Sequence, residues 1–229
     1  MQVNLTMITT WVTFTCYRKN MKIMGDKDTK LCLSDEDLSF LQNTIFFDKK
    51  RKVTNQLMAI LGELEQEIQS MMLHFPDLVP IAALNKRGKI SKGENYQGLP
   101  YLILDHPATF GKTGIFAFRT LIWWGNPISF TFHLSGIYLD QFKERLLTAL
   151  DKGSFADAFI CINNNQFEHH FGANNYQKVS QIVLEKGAVR ELLKNKNFLK
   201  IGITFPLQDI DDLWIQGQKF LQEIFQSLR

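Results

Sequence analysis

Between Phe116 and Leu134 large apolar residues recur at every second position on both sides of a short connection. The run reads Phe116-Ala117-Phe118-Arg119-Thr120-Leu121-Ile122-Trp123-Trp124, then Gly125-Asn126-Pro127, then Ile128-Ser129-Phe130-Thr131-Phe132-His133-Leu134. A period of two is the signature of a strand with one buried face, so the segment reads as a β-hairpin. The length of the connection decides which side chains share a face, because a slip of one residue turns every side chain over. A three-residue loop over Gly125-Asn126-Pro127 pairs Trp124 near Ile128 and Arg119 near His133. It gives one nearly apolar face: Phe116, Phe118, Thr120, Ile122, Trp124, Ile128, Phe130, Phe132 and Leu134. Arg119, Leu121, Trp123, Ser129, Thr131 and His133 lie opposite. A loop of two or four residues instead buries Arg119 among Phe130 and Phe132, where an unpaired guanidinium is costly. The three-residue version is therefore expected.

The rest of the chain supplies partners for the apolar face. Ser34-Asp35-Glu36-Asp37 opens a helix with a capping hydroxyl and acids at its positive end. The run Lys49-Lys50-Arg51-Lys52 reads as a solvated connection. Leu57, Leu61, Leu64, Ile68, Met71 and Met72 then mark one face of a helix over residues 54–73. Residues 91–98 form a polar loop and residues 99–105 a strand; Asp105-His106-Pro107 reads as a turn. Further expectations are a helix over 139–151 ended by Gly153, a strand over 158–162, and a strand over 166–171 hairpinned to it. Helices over 175–186 and 188–194, a strand over 198–205 and a last amphipathic helix opened by Asp209, Asp211 and Asp212 complete the order. Hairpins dominate, with no βαβ alternation. The fold class expected is α+β, a single domain with a mostly antiparallel sheet and helices packed mainly on one face. Its boundaries are residues 24–229. Residues 1–23 read as an extended tail, with Met24 as an alternative start and an edge strand over 12–17 as the alternative structure.

Composition excludes some classes. A formal charge of +3 over 229 residues lacks the dense basic face of a nucleic-acid binder. The scattered Cys16, Cys32 and Cys161 make neither a disulfide framework nor a metal knuckle, which fits a reducing, cytoplasmic setting. The N-terminus lacks a signal-peptide pattern, and no apolar run is long enough for a membrane span.

The long helix, basic polar segment, aromatic hairpin and closing strand–helix resemble the bacterial YktB-like family of unknown function. The closest points are Lys196-Asn197-Phe198-Leu199-Lys200-Ile201-Gly202 and Phe220-Leu221-Gln222-Glu223-Ile224-Phe225. The resemblance covers the layout of residues 50–229. Gly125-Asn126-Pro127 stands where that family carries an acidic pair at the hairpin turn. What it implies is a fold; it supplies no catalytic residue.

The candidate site is the polar face of the hairpin, Arg119, Trp123, Ser129, Thr131 and His133, with Glu94, Asn95 and Tyr96 from the preceding loop. A guanidinium forks onto carboxylate or phosphate and an indole stacks on planar groups. The pattern therefore suits a non-catalytic module for a small anionic or planar ligand, or a peptide. The alternative is an enzyme with His133 as general acid–base, helped by Glu94 or Arg119. A weaker one is nucleic-acid binding through residues 49–52 and 86–92. Glu168 and His170 share a strand face but make two metal ligands, short of the three or four zinc needs, unless His133, His106 or His74 joins them. No cofactor or metal is expected. Neither a GxSxG elbow nor a GxxxxGK[ST] loop is present.

Overall fold

The computed structural model describes residues 33–183 and 187–229. The expected tail, the start at Met24, the alternative edge strand, Cys16, Cys32 and the end of the helix expected over 175–186 lie outside the described residues. The chain divides into two compact units, with the division after Phe46.

Before the division, α1 (Asp35–Gln42) opens on a reciprocal capping box: Asp37 N donates to Ser34 Oγ (3.1 Å), and Ser34 N donates to the Asp37 carboxylate (2.8 Å). Asn43 ends it, and its side-chain oxygen accepts from Phe46 N (3.3 Å). α2 (Thr44–Met72) then runs without a break through Lys49–Lys52. The basic run is thus helix and not a connection. Lysine and arginine are good helix formers, and the real punctuation is the Asn43 cap.

The second unit holds one open sheet of seven strands, with every neighbouring pair antiparallel: an α+β fold. In chain order the strands are β1 (Lys89–Tyr96), β2 (Leu99–Phe110), β3 (Gly114–Trp123), β4 (Ile128–Ser135), β5 (Phe159–Cys161), β6 (Tyr176–Lys178) and β7 (Phe198–Phe205). Across the sheet the order is β1-β2-β3-β4-β7-β5-β6. α3 (Ile81–Leu84), α4 (Gly136–Asp151), α5 (Val179–Ile182), α6 (Ala188–Leu193) and α7 (Leu213–Ser227) complete the unit. Phe116, Phe118, Phe130, Phe132, Leu199 and Ile201 point to one side and pack with Leu61, Ile68, Phe142, Leu146, Leu221 and Phe225 of the helices. Each such side chain, fully buried, contributes about 1.5–3 kcal/mol.

Several expectations are corrected. Residues 91–96 are edge strand, not loop. Their chain reverses at Gln97-Gly98, both at positive φ (49° and 84°), which is the backbone of a two-residue hairpin turn whose twist matches its strands. Asp105-His106-Pro107 is no turn: β2 runs through it on a bulge, where a residue without an N–H leaves no gap in the ladder. In the central hairpin Arg119 faces Thr131 and Ala117 faces His133, two residues from the expected pairing. An even displacement keeps every strand side chain on its face, so the division into apolar and polar faces holds. Trp124 leaves the strand, its N–H donating to Pro100 O (3.0 Å). Residues 166–171 form no strand. β5 pairs instead with β6, and residues 162–175 are the long connection between them. β6 also takes the place of the first turn of the helix expected at 175.

Candidate functional site

The face of the sheet turned away from the helices is built from rows of cross-strand partners. One row runs Asp105, Arg119, Thr131, Gly202 and Phe159 from β2 to β5. The row beside it places Ala117, His133 and Lys200 in line; on the other side lie Ile103, Leu121, Ser129 and Thr204. Sheet register thus gathers two cations, a carboxylate, an imidazole and hydroxyls within three adjacent rows.

Arg119 and Asp105 form a two-pronged pair, Nε to Oδ1 at 2.7 Å and Nη2 to Oδ2 at 2.9 Å. Nη1 donates to the His169 ring, 2.9 Å from Nε2. Lys200 is 2% exposed, and its Nζ donates to the carbonyls of Gln166 (3.1 Å) and Glu168 (2.6 Å). His133 Nε2 lies 3.1 Å from Gln166 Oε1.

The groups touching this face come from residues 162–175, which fold back over it. Tyr96 fixes that segment. Its hydroxyl accepts from His169 N (2.9 Å) and His170 N (3.1 Å) and donates to Glu168 (3.1 Å). Phe171 stacks on Tyr176 at 4.2 Å and comes down over Gly202. A Cβ at Gly202 would lie 2.8 Å from the Phe171 ring and 2.7 Å from Phe130 O, so only glycine lets the segment sit this close.

The cover leaves two spaces. One is a void of about 10 Å³ among Arg119, Ser129, Thr131, His133, His169 and Lys200, about the room of one water molecule. The other is a groove of about 460 Å³ between the covering segment and the β3–β4 turn. Trp123, Phe159 and Phe171 are its aromatic lining, Ser129 and Thr204 contribute hydroxyls, and His169 borders both spaces. Trp123 is half-buried, its indole N–H donating to Tyr96 O (3.1 Å) and its ring edge-on to Tyr96 at 5.0 Å.

Burial, reinforced by the cations, sets the charge states. His133 and His169 are both pushed down to about 3, first by desolvation and then by Lys200 and Arg119. Desolvation also lowers Lys200 to about 8 and raises the Tyr96 and Tyr176 phenols. Arg119, which donates to His169, and the buried Lys200 stand behind the inner end of the groove.

The expected site residues divide. Arg119, Thr131 and His133 line the void, Trp123 lines the groove, and Ser129 lines both. Tyr96 holds the cover. Glu94 and Asn95 stand apart: Glu94 pairs with Lys50 of α2, and Asn95 Oδ1 accepts from Gly98 N (3.1 Å) to close the turn. Of the two helpers expected for His133, Glu94 is not among the groups around the ring, whereas Arg119 lines the same space. His133 itself is 7% exposed. Sequence reasoning missed Asp105, Gln166, His169 and Lys200. The signal for Lys200 was present, because Leu199, Ile201 and Ile203 alternate with Lys200, Gly202 and Thr204. Glu168 and His170 lie 3.9 Å apart, and among the described residues no three His, Cys, Asp or Glu side chains converge on a metal position. Cys161 is a buried thiol raised by desolvation. Among the described residues no helix is long and apolar enough to cross a membrane.

Comparison of the chain with protein-family models, with curated proteins and with solved structures found no match.

Proposed function

We propose that the chain is a non-catalytic binding module for a small planar anion, held on the sheet face that carries Arg119, Trp123 and His133. The observation that carries this reading is the groove. It has the volume of a small-ligand pocket, aromatic rings on its walls and hydroxyls beside them. His169, backed by Arg119, borders its inner end. Rings accept a planar body by stacking, and the cations Arg119 and Lys200 behind His169 favour an acidic end. A small molecule suits the site better than an extended peptide, which adds to a free strand edge, whereas the groove lies on the face of the sheet. The resemblance of the sequence to the YktB-like family adds no activity to this reading.

The test is a titration with 1-naphthoate, a flat aromatic anion, and with 1-naphthalenemethanol, its neutral counterpart. Two-dimensional NMR follows the Trp123 indole N–H in the native chain and, in both chains, the backbone amide of Gly172 at the groove. Naphthoate is expected to shift these signals saturably, the alcohol at least tenfold more weakly, and Trp123→Ala is expected to abolish binding with the fold intact. Equal response to both compounds, or none, sinks the reading. Loss of folding in Trp123→Ala marks the indole as a structural element instead.

A further inference from the structure

The small void beside the groove is lined by a buried lysine that has no carboxylate partner among the described residues. Arg119 is matched by the forked Asp105 carboxylate. Lys200 is 2% exposed, yet among the described residues no carboxylate lies within ion-pairing distance of it. Its Nζ donates to two backbone carbonyls and lies 5.3 Å from the centre of the Tyr176 ring, which leaves one of the three ammonium protons without an oxygen or nitrogen acceptor among the described residues. The Glu168 carboxylate is turned elsewhere, toward Tyr96, Asn165 and His170. The imidazoles of His133 and His169 are neutral and add no negative charge. A buried cation without an ionic partner is expensive, and proteins satisfy such a charge with a counter-charge or discharge it.

We propose that the void beneath residues 162–175 is a binding site for a monatomic, monovalent anion of the halide class, held by Lys200 and Arg119. The space, near the lower limit for one water molecule, excludes carboxylate, phosphate and sulfate, so an anion there is monatomic and, being somewhat larger than water, displaces the cover slightly. The hydroxyls of Ser129 and Thr131, 3% and 6% exposed, line the same space and are donors an anion accepts from, and the Asp105 carboxylate, which lines it too, is held by Arg119. Because Lys200 and His133 ground the covering segment through Gln166 and Glu168, an anion here ties the segment to the sheet. The site shares its sheet face with the proposed ligand groove and does not depend on it.

Bromide, which scatters anomalously, is the probe. Crystals grown without chloride and soaked in bromide are expected to show an anomalous peak within hydrogen-bond reach of Lys200 Nζ. In solution, chloride replacing gluconate at constant ionic strength is expected to raise the melting temperature saturably. Lys200→Met is expected to lose both effects. Should that variant fail to fold, Thr131→Val preserves shape and is expected to weaken the chloride midpoint by roughly tenfold, the size of one hydrogen bond to a charged group. A water molecule in the void of bromide-soaked crystals, or bromide only on the surface, overturns the proposal whatever the melting data show. The groove reading is separable, for Trp123→Ala is expected to leave the bromide peak in place, and an empty halide site leaves the naphthoate titration untouched.

Discussion

Two histidines held neutral inside a positive cluster make stability depend on acidity in a defined window. His133 and His169 each have a folded value of about 3 against an ordinary 6.5. As pH falls below 6.5 the unfolded chain takes up protons that the folded chain refuses. The stabilisation is therefore fully present above 6.5 and is lost as pH falls from there toward 3. Between those limits each histidine contributes about 1.4 kcal/mol per pH unit. At about pH 5 the loss is about 2 kcal/mol for each ring and about 4 kcal/mol for the pair, a large part of a typical domain's stability of about 5–15 kcal/mol. The ceiling is set by the cover: once opening residues 162–175 costs less than keeping the rings neutral, the segment opens, the rings are hydrated, and the slope flattens. The assay is urea unfolding across that window for the native chain and for His133→Asn with His169→Asn. The two chains differ only at these rings, so the difference in slope isolates them. An unchanged slope in the double variant, or ring protons titrating near 6.5 by NMR, refutes the burial and field invoked here.

Other outcomes follow from the same geometry. Arg119→Met leaves the 6%-exposed Asp105 unpaired and is expected to cost about 3–5 kcal/mol, at the lower end because the arginine side chain is one-fifth exposed; adding Asp105→Leu should recover most of it in urea titrations. The same substitution should raise the His169 pKa, read by NMR, because Arg119 is among the causes holding it down. Gly202→Ala is expected to cost about 1–3 kcal/mol and to speed amide exchange over residues 166–171, since its methyl meets the Phe171 ring. Glu94→Gln removes an exposed ion pair with Lys50 and should change stability by less than about 1 kcal/mol, an effect that disappears in high salt.

What could be read in the sequence follows the periodicities. The apolar faces of β3, β4, β7, α2, α4 and α7 were legible because each repeats at the step of its element. The face assignment of Arg119, Trp123, Ser129, Thr131 and His133 held although the pairing moved by two residues, since parity, not exact register, decides a face. The strand over 91–96 was hidden because an edge strand carries polar residues on purpose and lacks the apolar alternation. The bulge at Asp105-His106-Pro107 was hidden because proline signals a turn and a bulge alike. The cover was the largest omission. Residues 162–175 hold their place through the distant side chains of Tyr96, Lys196 and Lys200 and through Gly202, which admits the Phe171 ring, and no local pattern encodes contacts of that kind.

The claim on which the rest stands is that the polar face of the sheet is covered rather than open to solvent, with Tyr96 as the anchor. Amide hydrogen exchange at His169 and His170, in the native chain and in Tyr96→Phe, measures it most directly. The account predicts slow exchange at both amides in the native chain, and a rise of about tenfold or more when the accepting hydroxyl is removed, from the loss of two hydrogen bonds. Exchange at the rate of an unstructured loop in the native chain, or no change on removing the hydroxyl, would contradict it.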